Sequence, residues 1–291
     1  MIIENDHLIC HFDQRGAALK QLTIKSLRRN IIRPYENLKK SPHYTNTIIG
    51  PIANRISGAK LSIDDEQFIL DANENGNTLH GGKLGLSELE WEIKSHDIHS
   101  IVFKLEIDDR HMGFPGPSSF ETRYSLENHS LGIEINAISP RKNAFNLIPH
   151  ILFNLDEQKN TNKHLLQINA DHFLPVNQEK IPTGTIQTVE GSEFDFRAAK
   201  TFNNLSIDHN FCLNGTGMRK IATLVVEDLK LEIESNQLGL QVFDAPHLGR
   251  KYILLEPQGW PNAVNHENFP SQIIDAKQPY QAISRYIFST N

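Results

Sequence analysis

Apolar and polar residues alternate in short runs through most of this 291-residue chain, and turn residues cut the runs about every ten positions. Leu61-Ser-Ile63 and Phe68-Ile-Leu70 flank Asp64-Asp65, and Ile101 to Ile107 forms a further run. Thr122 to Leu126 turns at Asn128-His129 into Leu131 to Ile135. Ile221 to Val226 and Leu229 to Glu234 pair around Glu227-Asp228, and Leu238 to Phe243 leads toward Tyr252 to Leu255. Nowhere does a helical period persist for three turns. A period of two gives each run one face to bury, so the sequence predicts an all-β fold, a large sandwich of antiparallel sheets. No linker, internal repeat or low-complexity tract appears, and a single domain over residues 1–291 is expected.

Charge and composition narrow the partners. With Lys+Arg 29 against Asp+Glu 35 the net charge is −6, and no basic stripe is present. Arg28-Arg29 with Arg33 reads as a solvated turn, so nucleic acid is not expected as a partner. There is no run of about 18 apolar residues to span a membrane. Met1 to His7 lacks a basic segment followed by an apolar one, which makes the cytoplasm the expected compartment. Cys10 and Cys212 read as small apolar fillers in a reducing environment. The 14 histidines raise the question of a metal, but no His-Glu-x-x-His, paired-cysteine motif or calcium loop occurs. Gly215-Thr-Gly217-Met lacks the third glycine of a dinucleotide loop and reads as a turn. Neither metal nor cofactor is expected.

Chemistry concentrates where the strand Tyr252-Ile-Leu-Leu-Glu256 gives way to Pro257-Gln-Gly-Trp260-Pro261. A glutamate at that junction is held by a rigid strand beside an open loop. Partial desolvation would raise its pKa toward the working pH, as a catalytic base requires. A strand-end glutamate capped by solvent is the plain alternative. Upstream lie segments rich in His, Asn and Gly: Gly50 to Gly58 with Asn54-Arg55, then Asn75 to Gly82 with Leu79-His80-Gly-Gly. Asn146 to Leu155 follows, with His150 and Asn154, and then Asp208-His-Asn-Phe211. Read locally, His150 is better explained as a packed residue among Pro149, Ile151 and Leu152.

Taken in order, Ala53-Asn-Arg-Ile56, Leu79-His-Gly-Gly82, Gly113-Phe-Pro-Gly116, His150 before Asn154-Leu155, Ile181-Pro-Thr-Gly184, Phe194-Asp-Phe-Arg197, Asp208-His-Asn-Phe211 and the Glu256 run resemble the aldose 1-epimerase (galactose mutarotase) family from about Asn46 to Phe288. The resemblance implies the β-supersandwich fold and a cofactor-independent isomerase that interconverts the α and β anomers of free hexoses such as galactose or glucose. It implies Glu256 as the base that takes the anomeric hydroxyl proton and His150 as the acid that protonates the ring oxygen. A histidine suits that role because a modest environmental shift keeps a useful fraction protonated near neutral pH. The two are then expected on opposite sides of the C1–O5 unit, facing each other across a groove. Substrate-binding roles are implied for Asn54, Arg55, His80, Asp208 and Gln241, with the Arg55 guanidinium as a fork of donors to the sugar. Trp260 reads either as a platform for a sugar face or as packing.

Two departures from the family pattern bear on substrate. Pro51 stands where many members carry arginine, and Asp244 follows Phe243 where a small hydroxyl residue is usual, which adds a carboxylate near the sugar. A carbohydrate-binding or sugar-sensing protein, or an epimerase of a phosphorylated hexose, is the alternative reading. The chain is expected to work as a monomer or homodimer on a small-molecule sugar.

Overall fold

In the computed structural model, residues 1–35, 44–158, 160–202 and 205–290 are described. Strands dominate. An eight-stranded antiparallel sheet runs in the order Glu92–His96, Ser100–Ile107, Ser118–Glu127, Ser130–Ile138, Tyr280–Thr290, Leu229–Ser235, Arg219–Val225 and Leu165–Ile168. A six-stranded sheet follows the order Leu152–Phe153, Ile253–Gln258, Gly239–Phe243, Asp208–Leu213, Ala170–Leu174 and Gln187–Thr188. The N-terminal strands Ile2–Glu4, Leu8–Phe12, Leu19–Ile24 and Arg29–Asn30 form a third sheet.

The alternation read from sequence is the alternation of burial. Along Leu229–Ser235 every second residue is buried, and Ser118–Glu127 behaves the same way. Residues from Ile3 to Phe288 contribute to one apolar cluster, which takes Tyr124, Ile133 and Tyr286 from the large sheet and Phe211, Leu240, Val242, Ile253 and Leu255 from the six-stranded one. The expected hairpins are present, with left-handed backbone at Asp64 and Asn128 in two of their turns. Arg29 departs from expectation. Instead of facing solvent, it forms a two-pronged ion pair with Asp228 at 2.9 and 2.7 Å and donates to the Leu155 carbonyl, tying the N-terminal sheet to a hairpin of the large one.

The six-stranded sheet is what positions the site, because its two faces differ. Leu240, Val242, Ile253 and Leu255 point into the large core. Their neighbours in sequence must point the other way. Gln241 lies directly opposite Glu256 across one strand pair and opposite Asn210 across the next, which puts Asp208, Asn210, Gln241, Glu256 and Gln258 on one common face. Beside it, short two-stranded pairings build an annex: Arg55–Ile56 pairs with Thr78–Leu79, and Lys60–Ile63 with Glu66–Ile69, over an apolar cluster of Ile52, Ile56, Leu61, Phe68 and Phe114.

Leu255→Ala removes a fully buried side chain from the rear of the strand that carries Glu256. It should cost about 2–5 kcal/mol in urea unfolding. A loss below about 1 kcal/mol would show that this face is not close-packed.

Candidate active site

Glu256 is 3% exposed, so the carboxyl is fully desolvated rather than half so as the sequence suggested. Its Oε1 lies 3.2 Å from His150 Nε2. His150 follows the short strand Ile148–Pro149, which pairs with Ile48–Ile49. Its backbone N–H donates to the Thr47 carbonyl at 2.9 Å, and its carbonyl accepts from the Asn46 N–H at 3.0 Å. The imidazole is thereby fixed from both sides of its own peptide. The expectation of acid and base facing one another across a groove is corrected in one respect: they belong to one region but sit next to each other, in contact.

Around this pair the backbone places the other predicted residues. His80 and Asn54 flank the two-residue ladder of Arg55–Ile56 with Thr78–Leu79. The His80 N–H donates to the Asn54 carbonyl at 3.0 Å, and the Asn54 N–H donates to His80 Nδ1 at 3.2 Å. A backbone donor aimed at Nδ1 leaves the imidazole proton on Nε2, so His80 is a neutral donor. Its ring meets that of His150 edge-on, with centroids 5.3 Å apart. Both His80 and Asn54 hold left-handed backbone, and the turn that follows brings Gly81 against the Gly50 carbonyl so closely that a side-chain carbon would clash. Gln241 Nε2 donates to Asp208 Oδ1 at 2.7 Å. Asn54 Oδ1 is engaged by the Arg55 N–H at 2.9 Å. Thus Glu256, His150, His80, Asn54, Asp208 and Gln241 all fall into linked neighbourhoods, and Arg55 stands on the same annex.

Arg55 is not the free fork that the sequence suggested. Its Nε and Nη2 donate to the two oxygens of Glu74 at 2.5 and 3.0 Å, so only its remaining N–H groups are available to a ligand. Glu74 was invisible in the sequence, since nothing in Asn73-Glu-Asn-Gly76 distinguishes a site residue from a turn residue. Tyr44 was missed as well. Its ring lies against His80 with centroids 4.7 Å apart and 6.2 Å from that of His150, walling the two imidazoles. Trp260 resolves as packing: it meets Phe269 edge-on, and its Nε1 donates to the Leu238 carbonyl at 2.9 Å. Asp244 is buried with Arg250 Nε at 2.9 Å. Its charge is met by that guanidinium. His209 packs among Phe173 and Phe194.

Electrostatics follow from burial. Desolvation, reinforced by the charge of Asp208, raises Glu256 well above the ordinary carboxylate range. Burial pushes His150 down to about 4, against the pull of backbone groups at His150 and Tyr44, and drives His80 well below its usual value, with His150 and Arg55 adding to the effect. Asp208 is raised by burial and held back by Arg55 and Lys180. The sequence argument that a modest shift keeps His150 partly protonated therefore fails, because desolvation outweighs the rest. Burial thus acts on the two contacting groups in opposite senses, raising the carboxyl and lowering the imidazole. Among the described residues no group of three or more His, Cys, Asp or Glu is placed to hold a metal ion. Among them, too, no helix is long and apolar enough to cross a membrane.

The site is a buried carboxyl in contact with an imidazole, walled by His80 and Tyr44, on a β-supersandwich, and known proteins with this fold place the chain among carbohydrate isomerases. The fold superimposes on an aldose epimerase homologue from C. elegans with TM-score 0.95 and 24% identity, covering 100% of this chain and 98% of that one. It superimposes on galactose 1-epimerase from Lactobacillus acidophilus with TM-score 0.89 and 24% identity, covering 100% and 94%. The profile of the aldose 1-epimerase family matches residues 2–286. Galactose mutarotase of Sus scrofa is 30% identical over 87% of this chain and 81% of its own length, and aldose 1-epimerase of Escherichia coli is 30% identical over 82% and 78%. The chain belongs to the aldose 1-epimerase family and is an isomerase of carbohydrate metabolism.

Histidines buried in the neutral form make stability depend on pH. His150, His164 and His209 are each lowered to about 4. His164 lies off the site, where its Nε2 accepts the Leu155 N–H at 2.9 Å. The unfolded chain takes up their protons as pH falls through about 6.5, while the folded chain resists until about 4. Their contribution is thus full above about 6.5 and is lost toward 4, at up to about 1.4 kcal/mol per pH unit for each. Glu256, raised in the fold, has the opposite sign: its contribution is full at low pH and is lost as pH rises through its elevated pKa. Urea unfolding between about pH 7 and 5 should show the histidine loss, and His164→Gln should make the slope shallower. An unchanged slope would mean that His164 is not the buried neutral group inferred.

Proposed function

We propose that this aldose 1-epimerase acts on free hexoses such as galactose or glucose, with Glu256 as base and His150 as acid. Asn54, Arg55, His80, Asp208 and Gln241 orient the sugar. The observation that carries the reading is the 3.2 Å contact between His150 Nε2 and Glu256 Oε1 in a desolvated pocket. The anomeric oxygen and the ring oxygen are both bonded to C1. An acid and a base that act on them must therefore both reach one small region, and these two side chains do.

Both shifts favour the uncharged form of the closed pair, with the proton on Glu256 and His150 neutral. Moving that proton to His150 gives carboxylate and imidazolium without exchange with solvent. Sugar hydroxyls donating to the carboxylate favour this ionic form. Glu256 then takes the proton of the anomeric hydroxyl while His150 gives one to the ring oxygen. The C1–O5 bond breaks as C1–O1 becomes a carbonyl. After rotation about C1–C2, the C5 hydroxyl oxygen attacks the other face of C1 and returns its proton to His150, while O1 takes its proton back from Glu256. Each transfer is worth roughly 10²- to 10⁴-fold if correctly placed. His80, a neutral Nε2–H donor beside His150, supports the ring-oxygen end, and the Asp208–Gln241 pair offers an acceptor and a carbonyl to hydroxyls. The relatives named galactose mutarotase support galactose as substrate. We further propose one domain over residues 1–291, a cytoplasmic setting, a monomer or homodimer, and no nucleic-acid partner, on the balance of charge.

Polarimetry of freshly dissolved α-galactose and α-glucose tests this directly. Wild type should relax rapidly, and Glu256→Gln should lose at least about 10²-fold, since an amide cannot accept the proton at useful strength. Near-normal relaxation in the variant would remove the base assignment. The profile of kcat/KM against pH should be bell-shaped, falling on the acid side when the pair gains a second proton and on the alkaline side when it loses the shared one. A flat profile between about pH 4 and 9 would exclude a proton-sharing pair.

A further inference from the structure

We infer that Glu74 sets the charge of the sugars this cleft accepts: by neutralising Arg55 it restricts turnover to uncharged aldoses and rejects sugars carrying a carboxylate or phosphate. The inference rests on the sugar site proposed above. The charge of Arg55 reaches both His80 and Asp208, and an unpartnered guanidinium there would attract an anionic sugar. It is instead gripped through Nε and Nη2 by both oxygens of Glu74.

Glu74 is placed rigidly. Asn75 and Gly76 take left-handed backbone, the conformation of a type I′ turn, and the Glu74 and Asn77 backbones bond each other at 3.1 and 2.8 Å. Asn77 in turn accepts the Gly58 N–H at 2.9 Å and donates to Glu179 at 3.1 Å, which ties the turn to the annex at Gly58 and to the loop that carries Glu179. The other charges agree. Lys180 acts on Asp208, whose carboxylate also faces Arg55 and Glu74, and the Glu256–His150 pair carries no net charge while it shares one proton. Among the described residues, Arg55 is paired with Glu74 and the charge of Lys180 falls on Asp208.

The test compares kcat/KM, by polarimetry, for galactose against galacturonate and galactose 6-phosphate. Wild type should favour galactose. Glu74→Gln, which keeps the shape and loses the charge, should raise the anion-to-neutral ratio by about 10-fold, whereas Glu74→Asp, which keeps the charge, should hold the wild-type ratio. A residue needed only to support Arg55 would lower all three substrates together and leave the ratio fixed, which would overturn the inference. Should Glu74→Gln fail to fold, the wild-type ratio must hold when salt is added, since a cleft without net charge has no field to screen; a ratio that falls with salt would show an uncompensated cation and would overturn it equally. Failure of wild type on galactose itself would strike at the underlying substrate reading and is seen separately.

Discussion

A carboxyl group taken out of water must share a proton or be met by donors, since an unpaired buried charge costs several kcal/mol. Glu256 is in that position, with one side of its strand in the main core and the other under the site. Its sheet neighbour Gln241 directs an amide N–H to Asp208, so the group Glu256 meets is His150. Much of the site can be understood from this. A carboxyl raised by burial and an imidazole lowered by it are matched against each other, and a proton can cross between them with little change in net charge.

The scaffold keeps these groups in place through paired backbone. Glu256, Gln241 and Asp208 come from three adjacent strands of one sheet, whose registers fix which side chains share a face. His150 and the Asn54–His80 couple come from two-residue ladders, too short to be stable alone. They hold because the annex packs over its own apolar cluster and because His150 is bonded to the segment at Asn46 and Thr47. The long strands thus give rigidity, while the short ones bring in side chains from distant parts of the chain.

The all-β class was legible because burial on one face imprints a period of two, and the observed strand ends fall near the runs read from Leu61, Ile101, Thr122, Ile221 and Leu229. Family motifs pointed to Glu256, His150, His80 and Asp208, though periodicity by itself gave only apolar strands with occasional polar residues. Charge partners were not legible. The pairing of Arg55 with Glu74, of Arg29 with Asp228 and of Asp244 with Arg250 depends on how loops fold back, and a charged residue reads alike whether it is solvated or paired. The depth of the site was underestimated for a related reason: a glutamate at a strand end gives no sign of what will cover it. Tyr44 follows no periodic run and became part of the wall only through tertiary contact.

His80 and His150 show why environment, and not residue type, decides chemistry here. Their rings are 5.3 Å apart, and in so dry a place the two cannot both be charged, because each lowers the other's affinity for a proton in addition to the cost of desolvation. The backbone breaks the symmetry. The Asn54 N–H occupies His80 Nδ1, and a proton there would set two donors against each other, so His80 is confined to giving a hydrogen bond. His150 has a carboxyl at its Nε2, an arrangement that stabilises an imidazolium. In the proposed mechanism the proton therefore has a single route, and a neutral donor stands beside it without competing for the charge.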